Sequence, residues 1–237
     1  RNSGGTLNIA NVTVADNVNG TTTERVLTGL GSGGGIASLG GSVTITHSSI
    51  RDNVGHIGGG GIAIMGGTLT LAQSKITNNS ALTDEAGIGG GLWFLTFGPD
   101  PAFAAITDSI FADNEARFGG GLATQGLVRV QVRSTTLRDN RALVGGGVGN
   151  EGDSGELSIA NSTLVHNEAA EGAGVWNGGF VHMNIVDSTV ANNVATFDFG
   201  RGPTFDIPTG GGVLNLGAFA TLINVTISGN SAGQGGG

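Results

Sequence analysis

An apolar residue followed three positions later by asparagine recurs along the whole chain at a fixed phase. The intervals between successive copies are 36, 26, 35, 26, 27, 26 and 37 residues. The basic repeat is therefore 26 residues long, and three repeats carry insertions of about ten residues. A repeat of this length predicts a solenoid whose turns stack on one axis. The asparagines that mark the eight turns are Asn17, Asn53, Asn79, Asn114, Asn140, Asn167, Asn193 and Asn230.

Within each repeat, apolar positions are spaced by two. Residues ten and eight positions before each asparagine are aliphatic or small, with a mostly polar residue between them. This spacing is typical of a β-strand with one side facing a core. Another apolar position lies three residues before each asparagine, and a glycine run opens the next strand. We therefore predict an all-β, right-handed parallel β-helix: one domain over residues 1–237, with about eight coils of about 26 residues and three short strands per coil.

Other repeat folds fit the sequence less well. The LxxLxL signature of leucine-rich repeats is missing, and so is the glycine-rich nonapeptide of calcium-binding β-rolls. In a β-helix the recurring asparagine is expected at a bend, because asparagine tolerates the left-handed conformation. Asparagines stacked one coil apart are also expected to bond side chain to side chain as a ladder.

Composition narrows the classes of function. The chain has 47 glycines, no cysteine and 38% hydrophobic residues, which favours a packed core without disulfides or thiolate metal sites. Its net charge of −8 argues against nucleic-acid binding, which requires a basic surface. No apolar stretch is long enough for a transmembrane segment.

The two repeating motifs resemble those of a known family. Glycine runs followed by an aliphatic residue, together with apolar-x-x-Asn, are similar to the GGA(I/L/V) and FxxN repeats of polymorphic outer-membrane proteins and related bacterial adhesins. The segment FADN ending at Asn114 matches FxxN literally, while the other copies have Val, Ile or Leu in place of Phe. The resemblance implies a secreted or surface-exposed passenger β-helix, often a segment of a longer chain.

Candidate chemistry is sparse. The outward position after each glycine run carries no charged residue, so this face offers no pair of carboxylates for glycosidase chemistry. The densest acidic column directly precedes the asparagines, and Asp113 and Asp139 on neighbouring coils are weak candidates for calcium. A solvated, turn-favouring column is the preferred interpretation, and no other cofactor is expected.

Two tryptophans share one outward column. Trp93 and Trp176, followed by Leu214 in the next coil, are candidate ligand-binding residues, because exposed aromatic faces stack on sugars or anchor partners. The preferred alternative is that neighbouring loops cover them. In this interpretation the strand-side loop 95–103, which directly follows Trp93, folds back over its ring.

The departures from the repeat are the expected functional surface. Insertions 20–31, 81–88 and 195–209 all leave between the asparagine and the glycine run, which places them on one edge. Neither end shows the polar cap of a solenoid. We therefore expect either a segment of a longer rod or copies that stack end to end.

The resulting prediction is a non-enzymatic, structural or adhesive β-helix, secreted or on the bacterial cell surface. Its expected partners are other copies or flanking β-helix segments, and a surface glycan or host protein. The alternative is a carbohydrate-binding or polysaccharide-degrading β-helix that uses the tryptophan column and the corner loops.

Overall fold

The computed structural model describes residues 2–19, 33–81, 87–196, 209–233 and 235–237. Corresponding strands of successive coils pair in parallel and form three eight-stranded sheets. The predicted right-handed parallel β-helix of eight coils is therefore confirmed. Within the described ranges, no helix has the length and apolar character needed to cross a membrane.

The three main sheets are named A, B and C in the order in which each coil enters them. Sheet A contains Asn2–Ser3, Ile36–Leu39, Ile62–Met65, Leu92–Leu95, Leu122–Gln125, Val148–Gly152, Val175–Gly179 and Val213–Leu216. Sheet B contains Thr6–Ala10, Ser42–Thr46, Thr68–Ala72, Ala102–Thr107, Val128–Arg133, Glu156–Ala160, His182–Val186 and Phe219–Ile223. Sheet C contains Thr13–Ala15, Ser49–Arg51, Lys75–Thr77, Ile110–Ala112, Thr136–Arg138, Thr163–Val165, Thr189–Ala191 and Thr226–Ser228.

A fourth, shorter strand follows the recurring asparagine in most coils and adds to the three that were predicted. These two-residue strands form a four-stranded and a two-stranded sheet, together called sheet D. They are Val18–Asn19, Val54–Gly55, Ser80–Ala81, Glu115–Ala116, Glu168–Ala169 and Val194–Ala195. Single bridges from Arg141 to Glu115 and Glu168 join the two parts, so pairing continues along this edge.

The core runs along the axis and is filled by stacked aliphatic columns. In coil three, Ile62 of sheet A, Leu69 and Leu71 of sheet B, and Ile76 of sheet C are all almost fully buried. Each such side chain contributes about 1.5–3 kcal/mol when it is removed from water. One coil has no second layer of its own, so this burial exists only because neighbouring coils stack.

The bends lie in different places from those predicted. Left-handed backbone was expected at the recurring asparagines, but it occurs at the residue directly before each of them. Asp52, for example, has a φ of 55°. A second left-handed column flanks the other end of sheet C, with His47 at 48° in the same coil. Asp, Asn and other polar residues supply these bends, which leaves the recurring asparagines free to face inward.

The predicted insertions fall largely outside the described residues. Segment 20–31 lies wholly outside them, as do 82–86 and 197–208 of the other two. Their described neighbours Asn19, Ala81 and Ala195 each end a sheet D strand, at the corner that leads into sheet A.

Candidate functional site

The eight recurring asparagines form the predicted ladder. In the first seven, Nδ2 donates to the Oδ1 of the asparagine one coil further on, over 2.8–3.0 Å. From the second coil onward, Nδ2 also donates to a backbone carbonyl of the preceding coil; Asn140, for example, bonds Phe111 O at 3.0 Å. The backbone N–H of Asn114 donates to Asn140 Oδ1 at 3.1 Å. The six inner amides are buried and do not contact water. Each hydrogen bond in the ladder therefore satisfies a polar group that would otherwise have no partner.

A second ladder of hydroxyl groups was not predicted. Each of its members donates to the carbonyl two residues earlier and accepts a backbone N–H from the preceding coil; Ser74 does so at 2.8 and 3.1 Å. The ladder consists of Ser48, Ser74, Ser109, Thr135, Ser162 and Ser188. The signal was present in the sequence, since these residues all lie five positions before a ladder asparagine.

A third polar file runs inside sheet A from the fifth coil onward. Thr124 donates to Asn150 at 2.5 Å, Asn150 to Asn177 at 2.6 Å, and Asn177 to Asn215 at 2.6 Å. In coils three and four the same inward column holds Ile64 and the fully buried Phe94. The core therefore changes from apolar to hydrogen-bonded along one column.

The acidic column before the asparagines carries a cluster of paired polar groups around Asp52. Asn78 Nδ2 and Arg51 Nη1 both donate to the carboxylate of Asp52. The hydrogen bond from Asn78, and then that from Arg51, lowers the pKa of Asp52, because both stabilise the charged form. Its folded-state pKa is depressed, so the contribution of Asp52 to stability is present above the ordinary pKa and is lost as the pH falls through the folded value.

We predict that Asn78→Ala raises the pKa of Asp52 toward its ordinary value, because the largest stabilising hydrogen bond is removed. Carboxyl-carbon NMR titration of the variant and the parent chain measures this shift directly. An unchanged or lower pKa in the variant would contradict the assignment of Asn78 as the main cause.

The calcium candidates have few ligands around them. Asp113 is exposed, while Asp139 pairs with Arg138 Nη1 at 2.5 Å and lies 4.0 Å from His166 Nδ1. Among the described residues, no group of three or more His, Cys, Asp or Glu side chains is arranged to hold a metal ion. Calcium binding by Asp113 and Asp139 stays a prediction, and calcium titration followed by calorimetry tests it.

Trp93 does not form an exposed aromatic surface. It is only 4% exposed and packs in a cluster on the outer side of sheet A with Leu95, Ile88 and Phe118. Its indole N–H donates to Gln125 Oε1 at 2.9 Å. The ring is so close to Gly58 that a Cβ there would lie 2.1 Å from Trp93 Cε3. Packing and hydrogen bonding therefore cover Trp93, as the preferred alternative expected, and ligand binding by this residue stays a prediction.

The other candidates in this column are partly buried. Trp176 meets the ring of Phe118 edge to face, with centroids 5.5 Å apart. Its indole nitrogen is buried and has no hydrogen-bond partner in the part of the chain that the structure describes. Leu214 pairs with Trp176 in register. In the loop 95–103, which was expected to cover Trp93, Leu95 packs in the cluster around the ring, whereas Phe97 is 74% exposed.

Comparisons of the chain with protein-family models, with curated proteins and with solved structures give no match. The resemblance to polymorphic outer-membrane proteins therefore stays a prediction that rests on the two short motifs.

Proposed function

We propose that the chain is a structural, adhesive rod of a bacterial surface protein, exported from the cell and without enzymatic activity. The buried asparagine ladder carries this proposal. It links all eight coils by side-chain bonds in addition to the backbone pairing of three sheets. Such a chain of bonds rigidifies a fold that has no cysteine with which to form disulfides.

Surface location is the decisive test. Antibodies raised against the purified chain should label intact cells of the source organism, or their culture medium. Labelling that appears only after the cells are permeabilised would overturn the proposal. Stacked rungs rise about 4.8 Å each, so eight coils should give a rod of about 40 Å in small-angle scattering of the purified chain.

End-to-end association is part of the same proposal. Each coil pairs with the next through parallel strands of sheets A, B and C. A further rung from another copy or from a flanking segment would add to the rod through the same pairing. Sedimentation of the purified chain should show growth with concentration, and a monomer at every concentration would contradict stacking between copies.

A carbohydrate-binding or polysaccharide-degrading β-helix is the second candidate. Trp93 is buried, but Trp176 and Leu214 are partly exposed, and exposed aromatic side chains of sheet B support a carbohydrate-binding protein. Release of reducing sugar or of unsaturated products from any polysaccharide would favour an enzyme over the structural rod.

A further inference from the structure

One column on the outer face of sheet B carries flat side chains in five successive coils. Strand register places Phe103 beside Arg129, Arg129 beside Glu156, Glu156 beside His182, and His182 beside Phe219. All five residues are exposed. We call Phe103, Arg129, Glu156, His182 and Phe219 the planar column. With rungs about 4.8 Å apart, it extends over about 19 Å parallel to the rod axis.

Stacking orders both ends of the planar column. The guanidinium carbon of Arg129 lies 5.8 Å from the centre of the Phe103 ring. The rings of His182 and Phe219 are nearly parallel, at 9°, with centroids 4.7 Å apart. Contacts of this kind hold the rings in fixed positions and cover one face of each phenylalanine, while its other face and its outer edge stay open. Phe103 and Phe219 remain 44% and 58% exposed.

The other exposed phenylalanines of the described chain lie along the same edge. Phe180 is 67% exposed and stands two residues before His182, at the turn into sheet B. Phe97 lies in the turn that leads to Phe103. Solvent-exposed large apolar groups gathered on one edge mark an interaction surface, whereas single ones scattered over a protein do not.

A file of hydrogen-bonding groups runs beside the planar column. It lies two residues further along each strand, about 7 Å away, and faces the same side of the sheet. Its members in coils five to eight are Gln131, Ser158, Asn184 and Thr221. Amides and hydroxyls both donate and accept hydrogen bonds, so this file can form hydrogen bonds with a ligand that is rich in hydroxyl groups.

We propose that the planar column and its neighbouring file bind a glycan chain that runs across the strands, parallel to the rod axis. Sugar rings have an apolar face of C–H bonds and a rim of hydroxyl groups. The apolar face can pack on the uncovered parts of the Phe103 and Phe219 rings, while the rim can form hydrogen bonds with the amides and hydroxyls. The inference rests on the proposed function for its setting, an extracellular adhesive rod, and names the ligand class.

The test uses the purified chain and immobilised cellulose, chitin and polygalacturonate. At least one of the three should retain the parent chain, and Phe103→Ala/Phe219→Ala should weaken that binding at least tenfold. Retention on polygalacturonate alone would assign the ligand as an acidic glycan contacted by Arg129. The matched control is Thr70→Ala, an exposed substitution in the same sheet face at coil three, which should bind as the parent chain does.

Three results would overturn the inference. They are no retention of the parent chain, full retention of a folded double variant, and equal weakening by Thr70→Ala. Self-association that is lost in the double variant, without glycan binding, would assign the surface to a second copy instead. Circular dichroism checks folding of each variant. Because cell-surface labelling does not depend on these phenylalanines, failure here would leave the proposed rod function intact.

Discussion

Asn140→Ala is expected to lower the free energy of unfolding by about 3–5 kcal/mol, because it leaves several buried groups without partners. Asn140 is fully buried in the middle of the rod. Its Oδ1 accepts both the backbone N–H and the side-chain amide of Asn114, at 3.1 and 2.9 Å. Its Nδ2 donates to Phe111 O and Asn167 Oδ1, each at 3.0 Å. The change should appear as a large shift in the midpoint of urea unfolding.

The same substitution at Asn17 provides a matched control. Asn17 donates to Asn53 Oδ1 at 2.8 Å but is exposed, so water replaces the lost partner. Asn17→Ala should therefore cost less than about 1 kcal/mol. If Asn17→Ala and Asn140→Ala lowered the free energy of unfolding equally, burial would not be the reason that the ladder stabilises the fold. Asn140→Asp, which keeps the shape but turns donors into a buried negative charge, should be at least as damaging as Asn140→Ala at neutral pH.

Gly120→Ala is expected to cost about 3 kcal/mol or more, because there is no room for a methyl group between coils five and six. A Cβ at this position would lie 2.5 Å from Arg141 O and 2.6 Å from Gly146 O. Both atoms are backbone of the chain one turn further on, so only separation of the stacked turns relieves the clash. Thermal unfolding followed by circular dichroism should show a strongly lowered Tm or a chain that does not fold.

Gly66→Ala is the control that distinguishes the steric clash at Gly120 from the cost of placing a side chain on backbone with a positive φ. Gly66 has a φ of 74°, and a Cβ at this position would meet no other atom within 4 Å. The expected loss is the conformational cost alone, about 1–2 kcal/mol. If Gly66→Ala were as damaging as Gly120→Ala, close approach between coils would not be the reason for the glycine runs.

The stacking of coils could be predicted because its sequence signal is strictly periodic. A ladder amide works only when its neighbour one coil away is also an amide, so the asparagine of FADN at Asn114 recurs at one phase throughout. The hydroxyl ladder follows the same rule but mixes serine with Thr135 and stops before the end coils, which weakens its pattern. The left-handed bends were displaced by one residue, since both Asp52 and Asn53 suit a turn and sequence alone does not rank them.

The exposed surface was harder to predict. Alternation along a strand shows which side of the sheet a side chain faces, but not whether other parts of the coil cover that side. Alternation correctly placed Trp93 outside the central core, yet residues such as Ile88 from a different part of the coil cover that side. The planar column was missed for a different reason. Its members Phe103, Glu156 and His182 all lie eleven positions before a ladder asparagine, so the repeat places them in one column, but they share no residue type and no motif marks them.

The asparagine ladder also bears on how such a rod changes its length over generations. Each inner ladder amide meets the same chemical group on either side, so the bonds at a coil boundary do not depend on which coil comes next. Residues 115–140 make up one 26-residue period. If this segment were duplicated in tandem, the added asparagine could form the same ladder hydrogen bonds with the asparagines of both neighbouring coils. Loss of a single residue inside a strand would instead turn the side chains beyond it to the opposite face. Within the strands, a change in length is therefore tolerated in whole coils and resisted in smaller steps, whereas the corner before sheet A accepts insertions.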